Sequence, residues 1–129
     1  MGDYRFLFKN KITVIISNWR IINMEFKDQP FIPMLFGGDI NTYSVARAFY
    51  EEYQVKTYVF GKFPSGPSYN SNIIEYHADL KIDTDDVFMK TVCDFAAAHA
   101  DKTVLTIGCG DSYVALCSRH KDEMPENVI

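Results

Sequence analysis

At 129 residues, with 47% hydrophobic and 23% charged residues, the chain has the size and balance of one globular domain. Its net charge of -4 hides an asymmetry, because residues 1–23 carry Arg5, Lys9, Lys11 and Arg20 against Asp3, a balance of +3 that leaves -7 for the remainder. An acidic body without clustered Lys and Arg argues against a nucleic-acid module, and the longest apolar run near the N-terminus, Ile12 to Ile16, falls far short of the ~20 residues a membrane span requires.

In chain order, the basic residues 1–23 read as an N-terminal extension, either disordered and upstream of a natural start at Met24 or a loosely attached strand through Ile12 to Ile16. Residues 24–129 read as one α/β domain. Phe31 to Phe36 is an apolar strand, Thr42 to Tyr53 a helix, and Val55 to Phe60 a second strand rich in Val, Tyr and Phe. Val45, Phe49 and Tyr53 fall four apart, with Ala46 and Ala48 beside them, and predict the helical face that packs on the sheet. Gly61 to Asn72, GKFPSGPSYNSN, holds too many breakers for regular structure.

A short strand follows at Ile73 to His77, and Thr84 is the predicted N-cap of a helix ending near Ala100, with Asp85 and Asp86 favouring its positive end. Loss of that cap is expected to cost about 1 kcal/mol. Thr103 to Ile107 is a further strand, Gly108-Cys109-Gly110-Asp111 opens a last helix, Pro125 stops it, and Val128-Ile129 look like the first residues of another element. Alternating strands and helices predict a three-layer α/β/α fold with a mainly parallel, Rossmann-like sheet.

Function is expected at the carboxyl ends of such strands, where glycines allow close approach and helix N-termini offer free N–H groups. Gly37-Gly38-Asp39 there either holds a phosphate or carboxylate, or is a tight turn with Asp39 or Asn41 as N-cap. It lacks the third glycine of a dinucleotide fingerprint, and the second strand ends in Gly61-Lys62 where such a site would place an acid. Lys62 either meets an anionic group or is a solvated surface lysine. Gly108 to Asp111 resembles the glycine turn of S-adenosylmethionine-dependent methyltransferases but comes late in the chain.

Cys93, Cys109 and Cys117 form no C-x-x-C pair and cannot all pair within one chain, which predicts thiols in a reducing, cytoplasmic compartment. Cys109 is expected to be an inert turn cysteine. His77, His99 and His120 show no zinc-ligand spacing, and no metal site is predicted. Asp83, Asp85 and Asp86 are explained by the start of a helix.

The strings FGGDINTYSVARAFYEEY, VKTYVFGKFPSGPSYNS, TVLTIGCGDSYV and DEMPENVI resemble carboxylate-amine ligases of the ATP-grasp superfamily, with D-aspartate ligases among the relatives. The similarity is to the N-terminal preATP-grasp domain and covers roughly residues 31–129, the glycine-proline-serine-tyrosine loop being its most specific part. The resemblance implies an ATP- and magnesium-dependent enzyme that forms an amide through an acyl phosphate. Nucleotide and metal ligands belong mostly to later domains, so no catalytic or metal residue is assigned and the chain is expected to be inactive alone, cut before the ATP-grasp domain.

On this resemblance Gly37, Gly38, Asp39 and Asn41 border a substrate cleft for a small carboxylate or amine. Lys62, Ser65, Ser68, Tyr69, Asn70 and Ser71 form its wall or lid, and Gly108, Gly110 and Asp111 contribute a second turn. The missing ATP-grasp domain and a homo-oligomer are the expected partners. The alternatives are an independent Rossmann-like module binding a nucleotide or S-adenosylmethionine, and a noncatalytic docking domain.

Overall fold

The computed structural model describes residues 25–129; the expected extension at 1–23, with its strand at 12–16, lies outside the described residues. Four strands, β1 (Phe31–Phe36), β2 (Thr57–Gly61), β3 (Ile74–Ala78) and β4 (Thr103–Gly108), form an all-parallel sheet in the order β3-β2-β1-β4. Helices α1 (Ile40–Tyr53), α2 (Asp85–Ala98) and α3 (Asp111–Arg119) cover it. The order reverses between β1 and β4, as in Rossmann-like sheets.

The pleat of β1 divides the core. Ile32, Met34 and Phe36 point to α2 and α3, where they join Phe88, Val92, Ala96 and Leu116, while Leu35 faces α1 with Ala46 and Val59. Sheet faces covered on both sides give the three predicted layers. Each large side chain withdrawn from water here contributes about 1.5–3 kcal/mol. Pro33 is tolerated inside this central strand: Phe36 O accepts from Cys109 N on the β4 side and Gly37 N donates to Phe60 O on the β2 side, so alternation turns residue 33 toward β2. β2 pairs with β1 only from Met34 onward, and no ladder donor is lost.

Helix α1 starts two residues earlier than its apolar pattern predicts, because Asp39 caps it. Its fully buried residues are Thr42 and Ala46, the latter predicted beside the Val45, Phe49 and Tyr53 stripe, whose own members are half-buried at Val45 and Phe49 and exposed at Tyr53. Small residues bring the helix axis close to the sheet, and the larger rings turn aside: Phe49 and Tyr53 pack on Phe31 at 6.2 and 5.2 Å, with Tyr53 still exposed. Gln54 ends α1 in a left-handed conformation at φ 53°, and β2 begins at Thr57, two residues after the predicted Val55.

Parallel strands β2 and β3 are joined without a helix. Residues 62–73 cross the sheet on the α1 side, with Ser68 fully buried and Ile73 in the core. The GKFPSGPSYNS loop therefore has a packing task of its own: it replaces the crossover helix that parallel pairing ordinarily uses.

The last residues extend the sheet as the sequence suggested. Val128 pairs in parallel with Val104, with Ile129 N donating to Val104 O at 2.9 Å and Thr106 N to Ile129 O at 2.7 Å. Asn127 Nδ2 lies within 3.1–3.2 Å of the carbonyls of Ala96, His99 and Lys102, closing the carboxyl end of α2 from a distant segment.

Candidate active-site cleft at the carboxyl end of the sheet

An open cleft of about 420 Å³ lies between the β1–α1 turn and the start of the crossover loop, with one ring of α3 reaching over it. Gly37, Gly38 and Asp39 form one side. Lys62, Phe63 and Ser65 through Pro67 form the other, and Tyr76 and Tyr113 supply phenol rings.

The glycine turn reads as a cap. Asp39 Oδ1 accepts from Asn41 N at 3.0 Å, Thr42 N at 3.1 Å and Thr42 Oγ1 at 3.3 Å, so a carboxylate of the chain sits where an external anion would meet α1. Gly37 has φ 143°, and a Cβ built there would meet Cys109 O at 3.2 Å. The β1 and β4 turns approach closely where strand order reverses, and the open space is lined instead by the β1–α1 turn, the loop after β2, Tyr76 and Tyr113. The cleft is thus offset from the position a dinucleotide takes in this topology.

The opposite wall is pinned by Tyr76. Its hydroxyl donates to Phe63 O at 2.8 Å, and its ring packs edge-to-face on Tyr69 at 5.7 Å. A Cβ at Gly38 would stand 2.8 Å from the same hydroxyl, so glycine is needed for the two walls to come this close. Gly66, at φ 93°, turns the loop toward Gly38 O. Lys62 Nζ donates to Asp83 Oδ2 at 3.0 Å, and both side chains are about one-third exposed, at 38% and 32%.

Electrostatics around the cleft keep the phenols neutral. Burial raises the Tyr113 pKa first, with the Asp83 charge and Tyr76 adding to it, and burial raises Tyr76. Tyr113 stacks on Phe36 at 6.2 Å, which ties the cleft to the core. The Cys109 thiol is pushed up chiefly by burial and further by Asp39, against a lowering bond from Thr42, so it stays protonated and weakly nucleophilic as expected.

The structure gathers Gly37, Gly38, Asp39, Lys62 and Ser65 at one cleft. The remaining candidates stand outside its lining. Ser68 is buried beneath it with Oγ donating to Asp39 O at 3.4 Å, Asn70 Nδ2 donates to Gly66 O at 3.5 Å, and Ser71 Oγ accepts from Ile73 N at 3.3 Å, so these three hold the loop's shape. Tyr69 and Asn41 are exposed beside it. Gly108 packs under α3, Gly110 is that helix's N-cap, and Asp111 lies in its first turn. Sequence reading missed Phe63, Tyr76 and Tyr113; the signal in reach was their place, one at the end of β2, one near the end of β3 and one in the first turn of α3.

Among the described residues no group of three His, Cys, Asp or Glu side chains could hold a metal ion; the cleft's lysine is paired with Asp83, and the α1 N-terminus is capped by Asp39. No described helix is long and apolar enough to cross a membrane.

Fold and cleft together define a parallel α/β domain of Rossmann-like topology with a small-molecule-sized cleft at its strand ends. The chain is 35% identical over 106 residues to the D-aspartate ligase of Enterococcus faecium (strain Aus0004), an alignment that covers 80% of this chain and 25% of that protein. The chain thus spans about a quarter of the length of the curated relative it matches. No family model matches it, and no solved structure does.

Proposed function

We propose that this chain is the N-terminal, preATP-grasp domain of an ATP-dependent carboxylate-amine ligase of the D-aspartate ligase kind, and that it contributes one wall of the substrate cleft. The observation that carries the proposal is the 35% identity over 80% of the chain, against only a quarter of the relative. In this reading the amide-forming chemistry, with its nucleotide and magnesium ligands, resides in further sequence, and residues 1–129 alone are inactive. The cleft takes a small acidic amino acid, the compartment is the cytoplasm, and the partner is the ATP-grasp portion.

An independent nucleotide or S-adenosylmethionine module is disfavoured by the self-capped α1 N-terminus and the Gly61-Lys62 strand end. Calorimetric titration of the isolated chain with ATP, nicotinamide dinucleotides and S-adenosylmethionine should give no binding heat; clear saturation by any of them would overturn the proposal. In a chimera carrying this chain in place of the matched quarter of the Enterococcus faecium enzyme, Lys62→Ala should raise KM for D-aspartate roughly three- to tenfold, the range for losing one partly exposed charge contact. An unchanged KM would return Lys62 to the solvated surface.

A further inference from the structure

Lysine and aspartate meet at the cleft in an arrangement that a plain anion site does not call for. One basic side chain at a strand end suffices to attract a carboxylate, and an aspartate 3.0 Å away both competes for that ammonium and repels the ligand. Both groups sit on fixed elements. Lys62 directly follows β2, and Asp83 immediately precedes the α2 N-cap in a turn anchored by the fully buried Ile82 and by hydrogen bonds from Ile82 N to Asp79 O and Thr84 N to Lys81 O.

Among the described residues lining the cleft, Lys62 is the one basic side chain and Asp39 the one acid. Asp39 is committed to the amides of α1. Asp83 stands outside the lining itself, behind Lys62, and is the acid nearest the cleft that can exchange its partner for a cation brought in by a ligand, its side chain being about one-third exposed. Exchange of one ion pair for two new ones, ligand carboxylate on Lys62 and ligand ammonium on Asp83, leaves both protein charges paired and only the second carboxylate of an acidic amino acid to be met elsewhere. A dicarboxylate without an amine leaves Asp83 facing an anion.

We infer that Asp83 is a specificity-determining residue of this cleft: with Lys62 it presents two opposite charges that select a zwitterionic amino acid over a dicarboxylate of the same length. The inference rests on the reading of the cleft as the acidic-substrate site.

The test compares D-aspartate with succinate, which lacks the amine, by amide chemical-shift titration of the isotopically labelled 129-residue chain, followed at Gly37, Gly38 and Gly66. The wild-type chain should prefer D-aspartate by roughly three- to tenfold, the range for a partly exposed charge-assisted hydrogen bond. Asp83→Asn should bring the preference to about one or below, as succinate gains and D-aspartate loses. Lys62→Gln should weaken both and widen the preference, because the unpaired Asp83 still attracts the ammonium and repels succinate. Equal binding by the wild type, or a preference that survives Asp83→Asn in the folded variant, overturns the inference and leaves the cleft reading standing. Failure of both ligands to move these amides overturns both.

Discussion

Two glycine turns stand side by side at the carboxyl end of the sheet, Gly37-Gly38-Asp39 after β1 and Gly108-Cys109-Gly110-Asp111 after β4, and each opens a helix. Their strings look alike, yet their acids do different work. Asp39 is the N-cap of α1 and takes two of its amides, whereas Asp111 lies one position inside α3, whose N-cap Gly110 offers no side-chain bond. The glycines differ too: Gly37 needs its positive φ, while Gly108 is held by crowding, since a Cβ there would sit 2.6 Å from Val114 N and Tyr113 C. Similar composition therefore encodes a self-satisfied turn in one place and a packing joint in the other.

The largest expected effect separates the two glycines of the second turn. Gly108→Ala drives a methyl into backbone atoms that cannot move without shifting α3 off β4, and it should cost about 3 kcal/mol, the upper part of the overpacking range. Gly110→Ala should stay within about 0.5 kcal/mol, because the nearest obstacle is the Tyr113 ring edge at 3.8 Å and its backbone is extended. Urea unfolding midpoints of both variants measure this; equal losses would show that conformation, not crowding, selects glycine in this turn.

The capping contrast should be smaller. Asp39→Ala removes a carboxylate that receives Asn41 N and Thr42 N and should cost about 1 kcal/mol, with Asp39→Asn recovering most of it. Thr84 occupies the N-cap of α2, as its sequence position suggested, but its hydroxyl donates to Lys81 O at 2.7 Å and bonds no helical amide. The cost of about 1 kcal/mol expected from sequence is thereby reduced: Thr84→Ala should lose only about 0.5 kcal/mol, the low end for an exposed hydrogen bond. Comparable losses for Asp39→Ala and Thr84→Ala in denaturant titrations would dissolve the distinction.

Much of this architecture was legible because strand period and turn residues are local signals. β1 falls on the predicted Phe31 to Phe36, and Gly-rich segments do mark the strand ends. What stayed hidden depends on distant partners. Nothing near Thr84 tells that its hydroxyl turns back to Lys81, and nothing near Asn127 tells that its amide closes α2, 31 residues from Ala96. The cleft was half legible for the same reason: its glycines and Lys62 announce themselves, whereas Tyr76 and Tyr113 become lining residues only once β3 and α3 are placed. Asp83 looked like helix-start chemistry because sequence spacing cannot show Lys62 across 21 positions.

The smallest effect concerns how α3 is held at its other end. His120 Nε2 lies 2.9 Å from Asp85 Oδ1 and Nδ1 lies 3.2 Å from Glu123 Oε1, while Arg119 also donates to Asp85 at 2.8 Å. Asp85, then Glu123, raise the His120 pKa above its ordinary 6.5, and His120, then Arg119, lower that of Asp85. A raised histidine stabilises fully below its unfolded value and loses that contribution as pH climbs through the folded value; the depressed Asp85 contributes fully above its unfolded value and loses it as pH falls through its folded one. The thermal midpoint should therefore decline slightly from about pH 6 to pH 8, and His120→Asn should flatten that decline and also shrink the acid-side loss to the part that Arg119 sustains. Added salt should shrink the slope in the wild type, since these charges are solvent-screened. A decline that persists in His120→Asn would locate the titrating group elsewhere and leave the carboxyl end of α3, like its amino end, held by packing rather than by charge.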